Sequence, residues 1–341
     1  MRLRPTLLVA SALLSLSAAG AESDPYWAWR QPPDDATEGL DRAINRELVR
    51  GLADVNARRP ATCREAARLL TAPLHITSDH FFRSAVRRWP VDRSPRRPIE
   101  RTPWSDWPEG KELAARPRGS EFDRRSIYRS TPLFPFGHLV PLDPTLSVDG
   151  VLLGPDKIGH FFTNGFRSWE RALDARAAGA DVDEALRAAL LYGVDEEKGW
   201  LGLGIDGIFS YADLHAASAG MRFFDALCGG GLVHDDDGGW SLSGWFSLAA
   251  WVDPCWDESF ATNAFADREA EAVQTATLEV CPLLKDPAVQ ARRSRYRARG
   301  CNAATASLLS SFVREGLAPS SAPWDVDNLC AGCARLSASR P

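Results

Sequence analysis

Beyond its N-terminus, the sequence has no long apolar run and little net charge. The longest apolar stretch, residues 240–252, is interrupted by Ser241, Ser243, Gly244 and Ser247, whereas a membrane-spanning helix needs about 20 apolar residues. The formal net charge of the whole chain is −5, and a mildly acidic protein is a poor generic binder of nucleic acid. We therefore expect no transmembrane span after the N-terminal segment and no nucleic-acid partner.

The sequence also lacks the common motifs of nucleophilic, zinc-dependent and nucleotide-dependent enzymes. It has no GxSxG, no HExxH and no phosphate-binding loop ending in Gly-Lys-Ser/Thr, and no internal repeat. Residues 202–207 do spell GxGxxG, but they follow a predicted helix, whereas the dinucleotide fingerprint follows a strand. We interpret these glycines as a tight turn between helices, so no motif names a reaction.

The N-terminus has the pattern of a secretory signal peptide. Arg2 and Arg4 precede the apolar residues 7–19, and Ala19-Gly20-Ala21 has the small-x-small pattern of a cleavage site. Residues 1–21 are therefore predicted to be a signal peptide cleaved near Ala21, which makes the protein exported, periplasmic or secreted. The alternative is an uncleaved N-terminal anchor helix.

Seven cysteines fit an oxidising compartment. We expect most of them to form disulfides, with one cysteine left over, although spacing does not give the pairing. Cys330 and Cys333 form a CxxC pair. Disulfides are the favoured interpretation of this pair, and a redox dithiol or half of a zinc site are the alternatives.

A basic, proline-rich segment divides the chain. Residues 83–129 carry 13 Arg or Lys against 7 acidic residues, with six prolines and three tryptophans, and this many prolines exclude long helices and interior strands. We expect an extended arm over residues 89–144. Its arginines and tryptophans suit an envelope component or an anionic surface as partner; alternatively, the tryptophans pin the arm to the core.

The rest of the chain is predicted to be mainly α with short β-hairpins. N-terminal helices in residues 22–88 and C-terminal helices with a Cys-containing tail in residues 261–341 flank a helical core unit, residues 145–260, and disulfides staple the fold. Apolar periodicity and capping residues predict the individual helices, at residues 37–57, 63–70, 157–173, 182–198 and 211–228. Hairpin turns are predicted at residues 149–150 and 235–239.

The stretch PDKIGHFFTN, residues 155–164, carries the main candidate site. Asp156 is predicted to cap a helix, and Lys157 and His160 stand on the first turn beside it. Two interpretations stay open: the turn binds an anion such as phosphate, or Asp156 and His160 form half of a divalent-metal site completed by acids from elsewhere. A second, looser cluster consists of His75, Asp79 and His80.

Three motifs in order, DKIGHF, DEEKGW and FSYADLHAASAG, resemble the pattern of VanZ-like proteins and of the small YfiM-type bacterial envelope proteins. The resemblance covers residues 156–228 and departs from the pattern at Leu201 and Ala217, where the family has glutamine and asparagine. The remainder of the chain resembles uncharacterised exported proteobacterial proteins. The resemblance implies a cell-envelope setting and a polar site that also includes Glu197 and Asp213.

Two functions follow as expectations. The first is an exported envelope protein with a non-catalytic binding or structural role, which we slightly favour. The alternative is a metal- or acid/base-dependent hydrolase or transferase acting on a phosphate or ester group of an envelope lipid or cell-wall precursor. In that enzyme His160, Lys157 and Glu197 would be catalytic, and Asp156, His160, Glu197 and Asp213 would be the metal ligands.

Overall fold

The structure, a computed structural model, describes residues 23–30, 32–75, 126–128, 145–199, 202–204 and 207–331. The predicted signal peptide, nearly all of the basic arm and Cys333 lie outside these residues. The described part is mainly helical, as predicted. Its α-helices are α1 Pro25–Ala28, α2 Thr37–Arg58, α3 Cys63–Thr71, α4 Asp156–Gly159, α5 Gly165–Ala177, α6 Val182–Lys198, α7 Tyr211–Ala226, α8 Asp267–Leu278, α9 Pro287–Arg299 and α10 Ala303–Arg314. In the described ranges, no helix combines the length and apolar character needed to cross a bilayer.

Capping residues fix where the central helices begin. The Asp181 side chain accepts from the backbone N–H of Glu184, and the Glu184 side chain accepts from the backbone N–H of Asp181, which completes a capping box at the start of α6. The Ser210 hydroxyl likewise accepts from the backbone N–H of Asp213 at 3.2 Å. Both helices therefore start within a residue of the predicted positions.

The strands are short antiparallel pairs: β1 Leu146–Val148 with β2 Val151–Leu153, β3 Ile208–Phe209 with β6 Ala264–Phe265, and β4 Leu232–His234 with β5 Trp240–Leu242. Asp149 and Gly150 form the first hairpin turn with φ of 50° and 74°, the left-handed conformation that such a turn requires. The pairing of β3 with β6 joins segments far apart in the sequence, and no local pattern predicted it.

A five-residue π-helical turn, His160–Asn164, joins α4 to α5 and packs against α7. The backbones approach so closely that a Cβ on Gly220 would lie 1.8 Å from the carbonyl oxygen of Phe161, and a Cβ on Gly165 would lie 2.6 Å from the Cα of Gly220. Glycine at these two positions therefore sets the distance between the π-helical turn and α7. Single π-helical turns inside helices occur frequently at functional sites.

Three disulfides staple this fold, namely Cys63–Cys228, Cys255–Cys301 and Cys281–Cys330. The first connects α3 to the segment that follows α7, and the second connects the 3-10 turn Pro254–Trp256 to the chain before α10. Cys330 is bonded to Cys281, so the CxxC pair is not an internal redox dithiol.

Two features of the C-terminal region differ from the prediction. Val273, Ala276, Val280 and Leu284 form an apolar stripe that predicts one helix, but α8 ends at Leu278 and a short 3-10 helix with Pro282 at its start follows. Helix α9 was missed because its outer face is rich in arginine and its apolar stripe is weak. Its start was nevertheless readable, since Asp286 caps the helix and Pro287 occupies the first position.

Candidate functional site

The Lys157 side chain is fully buried, at 0 % exposure, and its ammonium group is surrounded by carboxylates. Nζ lies 2.5 Å from Oδ2 of Asp156 and 2.6 Å from Oδ1 of Asp213, and it also pairs with Oε1 of Glu258. His160 extends the group, because its Nε2 lies 3.2 Å from Oδ2 of Asp213. We call these five residues the Lys157 cluster.

Each carboxylate of the cluster comes from a different part of the fold. Asp156 opens α4, Asp213 lies in the first turn of α7, and Glu258 follows the 3-10 turn Pro254–Trp256. Ser210 holds the start of α7 in place through its cap on the Asp213 backbone. The cluster therefore joins three chain segments through one buried ammonium group.

The predicted role of Asp156 as a helix cap is wrong. Asp156 is already the first helical residue, Pro155 stands at the cap position, and no side chain caps this helix. The Asp156 carboxylate instead turns toward the Lys157 ammonium, because a fully buried cation demands a counter-charge. Its second oxygen, Oδ1, is buried and has no hydrogen-bond partner among the described residues.

Glu258 belongs to the cluster although the sequence analysis did not select it. It is 3 % exposed, and its Oε2 accepts from Asn263 Nδ2 at 3.1 Å and from the Tyr128 hydroxyl at 3.4 Å. The neighbouring Asp257 shapes this segment by accepting hydrogen bonds from the backbone N–H and the hydroxyl of Ser259. The only local signal was the acidic pair in the stretch WVDPCWDES.

The charges in the cluster do not balance. Three carboxylates face one ammonium group, so a fully ionised cluster with a neutral imidazole would bury two net negative charges. Burial accordingly raises the pKa of Asp156, and it raises the pKa of Glu258 to about 7. Burial also acts to raise the pKa of Asp213, but the charges of His160 and Lys157 outweigh it and hold that pKa below its usual value. The cluster therefore attracts protons or a further cation.

The same geometry bears on whether the first turn of the PDKIGHFFTN stretch binds an anion or a divalent metal. One ligand atom each from Asp156, His160 and Asp213 lie within 4.8 Å of one another, a spacing compatible with a bound metal ion. An anion at Lys157 would instead meet three carboxylates. The anion-binding role stays a prediction, and the arrangement favours a cation.

Glu197, the remaining predicted site residue, is buried and serves the backbone. Its Oε2 accepts from the N–H of Ser210 at 3.2 Å. That bond connects the end of α6 to the start of α7, one turn before Asp213. Glu197 is not one of the three residues whose ligand atoms converge, and its proposed catalytic and metal-binding roles stay predictions.

A second group of potential ligands consists of His215 in α7 together with Asp253 and Cys255, with ligand atoms also within 4.8 Å of one another. Cys255 is bonded to Cys301, so its sulfur is not a thiolate, the form that binds metals. Burial lowers the pKa of His215 to about 4, which keeps this imidazole neutral near pH 7. We therefore describe this group as a disulfide-linked junction between α7 and the segment that contains Asp253 and Cys255.

The looser cluster of His75, Asp79 and His80 is described only at His75, because the other two residues lie outside the described ranges. His75 Nε2 lies 2.9 Å from the Thr71 hydroxyl, and its ring packs 5.4 Å from that of Phe166. Burial lowers its pKa to about 4. These contacts are those of a packed core histidine.

Comparison with protein-family models, with curated proteins and with solved structures found no match to this chain. The similarity to VanZ-like and YfiM-type proteins therefore stays a prediction carried by residues 156–228 alone.

Proposed function

We propose that this chain is an exported cell-envelope protein with a non-catalytic role, in which the Lys157 cluster stabilises a disulfide-linked helical scaffold. The observation that carries the proposal is the pairing of Lys157. An ammonium group has three N–H donors, and three buried carboxylates from three chain segments face the one on Lys157. This pairing accounts for every donor without a substrate.

Burial supports the same conclusion. Lys157, Asp156, Asp213 and Glu258 are all at most 4 % exposed, and only His160, at 11 % of its side chain, approaches the surface. A catalytic base or nucleophile must come within hydrogen-bond distance of its substrate. In the described structure, Lys157, Asp156 and Asp213 contact one another, Glu258 and the core, and Glu258 also lines a small cavity.

The proposed export rests on two observations. Residues 1–21 have the pattern of a signal peptide, and the three disulfides are typical of proteins that fold in an oxidising compartment. Fractionation of cells that express the full chain tests it: we expect the protein in the periplasm or medium, with an N-terminus near Glu22. Cytoplasmic protein that retains Met1 would contradict export.

Turnover measurements test the non-catalytic role. Wild type, His160→Ala and Lys157→Met are compared on phosphoesters of envelope lipids and cell-wall precursors, with circular dichroism to show that each protein is folded. The proposal predicts no turnover above background in any of the three, and a lower melting temperature for Lys157→Met. Turnover by wild type that is lost in folded His160→Ala would overturn it.

A second candidate function is the metal-dependent hydrolase or transferase. Two observations favour it: the convergence of Asp156, His160 and Asp213, and the buried Asp156 oxygen that has no hydrogen-bond partner among the described residues. A divalent metal held by these residues would supply an activated water, and His160 would be the group nearest the solvent. Near-stoichiometric metal in purified protein is the first requirement of this candidate.

The basic segment 83–129 remains the proposed contact to an envelope component or an anionic surface. Only residues 126–128 of it are described. Binding of the protein to anionic vesicles should fall with added salt and should be lost when residues 90–120 are deleted. Equal binding by the full-length and deleted proteins would remove this role.

A further inference from the structure

Glu258 also lines a small cavity. The cavity has about 10 Å³ of space, close to the room that one water-sized group needs. Its lining includes Glu258 and Asn263 together with four aromatic residues, Tyr26, Tyr128, Phe265 and Trp324. The cavity therefore combines a carboxylate, an amide and an aromatic wall.

Hydrogen-bond acceptors at this cavity exceed their partners. Asn263 is 2 % exposed and donates through Nδ2 to Oε2 of Glu258 at 3.1 Å. Its own oxygen, Oδ1, is buried with no partner in the described structure. A buried acceptor without a partner destabilises the fold, so the cavity is suited to a group that donates hydrogen bonds.

The negative charge around the cavity favours a cationic hydrogen-bond donor. Glu258 belongs to the Lys157 cluster, where carboxylates outnumber the ammonium group three to one, and this excess negative charge attracts a cation and repels an anion. Aromatic rings stabilise a nearby organic cation further. Ca²⁺ is held mainly by carboxylate and carbonyl oxygens. Among the lining side chains, only Glu258 and Asn263 supply such oxygens, and the remaining oxygens are hydroxyls.

We propose that this cavity binds the ammonium end of a small primary amine, with Glu258 and Asn263 as the hydrogen-bond acceptors. An ammonium group is about the size of water and carries three donors, so it fits the space and satisfies Oδ1 of Asn263. The inference goes beyond the structural role of the Lys157 cluster, because a purely structural cluster requires no ligand at Glu258.

The experiment titrates purified mature protein, residues 22–341, with methylammonium chloride. Isothermal calorimetry measures the binding, and the melting temperature is measured at each concentration. Potassium chloride at equal ionic strength controls for general cation effects, and methanol controls for a neutral group of similar size. We expect saturable binding of methylammonium and a rise in melting temperature that neither control reproduces. No saturable binding, or an equal rise with potassium or methanol, would overturn the proposal.

Variants locate the site. Glu258→Gln should weaken methylammonium binding at least tenfold, because it removes the negative acceptor. Asp225→Asn removes the same charge from an exposed position at the other end of α7 and should leave the affinity unchanged. If Glu258→Gln does not fold, Asn263→Ala replaces it, with at least a fivefold loss expected. Wild-type affinity in a folded Glu258→Gln or Asn263→Ala protein would contradict the assignment.

Discussion

Two buried junctions connect α7 to the segment 253–258, and they are built from different chemistry. On one side, Asp213 and Glu258 meet at the ammonium group of Lys157. On the other side, His215 faces Asp253 and the Cys255–Cys301 disulfide. The first junction depends on buried charges that must stay paired. At the second, a neutral imidazole lies beside a disulfide that ties the segment to the chain before α10. The two should therefore respond differently to mutation and to pH.

Lys157→Met should have the largest effect. It removes the ammonium group and leaves three buried carboxylates facing one another, and breaking a buried ion pair from one side typically costs about 3–5 kcal/mol. We expect a loss of this size in the free energy of unfolding, measured by urea denaturation. Lys198→Met, at an exposed position near the end of α6, should change it by less than about 0.5 kcal/mol. Equal effects of the two substitutions would show that the Lys157 cluster contributes no more to the free energy of unfolding than an exposed lysine does.

Removal of the Cys255–Cys301 disulfide should have the second-largest effect on stability. The double variant Cys255→Ser, Cys301→Ser loses one disulfide, which typically lowers stability by about 2–4 kcal/mol. Urea denaturation under oxidising conditions measures the loss. After full reduction, wild type and the double variant should unfold at about the same urea concentration. A difference that persists after reduction would mean that the serines disturb the packing itself.

A smaller effect is a pH dependence from the segment beside the Lys157 cluster. Burial raises the pKa of Asp257 to about 6 and that of Glu258 to about 7. The folded protein therefore holds protons that the unfolded chain releases at lower pH. This stabilisation is complete below about pH 4 and is lost as the pH rises through 6 to 7. The lowered pKa of Asp213 acts at more acid pH and does not offset it.

Asp257→Asn isolates part of this pH dependence. Relative to wild type, the variant should gain at least about 1 kcal/mol in unfolding free energy between pH 5 and pH 8, because wild type loses its share of the stabilisation over that range. Urea denaturation at several pH values measures the difference. A constant difference from pH 5 to pH 8 would mean that Asp257 does not titrate in this window.

The disulfide-linked junction should show a pH effect of the opposite sign. The lowered pKa of His215, about 4, means that its stabilisation is present above the ordinary pKa of about 6.5 and is lost as the pH falls toward 4. His215→Gln should therefore become more stable relative to wild type as the pH falls from 7 to 4.5. Thermal unfolding across this range checks the direction, and a change of the opposite sign would contradict the neutral imidazole.

The sequence predicted much of the fold because its signals are local. Periodicity and caps placed α2, α6 and α7 within a residue or two of their bounds. Asp156, Lys157 and His160 were selected in advance because they lie on the first turn of a predicted helix, where polar residues stand out, and Asp213 was selected through the resemblance to VanZ-like proteins. The role of Asp156 was harder to predict. The buried ammonium group of Lys157 needs a counter-charge, so Asp156 pairs with Lys157 and does not cap its helix.

What the sequence could not predict depends on long-range contacts. Glu258 lies in an irregular segment without periodicity. The pairing of β3 with β6 brings that segment to α7, and the Cys255–Cys301 disulfide ties it to the chain before α10. Disulfide pairing does not follow from spacing. A carboxylate in such a segment looks like an exposed acid until the tertiary structure places it beside Lys157.

The most direct test of the central claim is the metal content of purified mature protein, residues 22–341, measured by elemental mass spectrometry beside His160→Ala. A Lys157 cluster that serves to hold three segments together predicts far less than one metal ion per chain in both proteins. About one ion per wild-type chain, absent from a folded His160→Ala protein, would contradict that account and would assign Asp156, His160 and Asp213 to a metal centre.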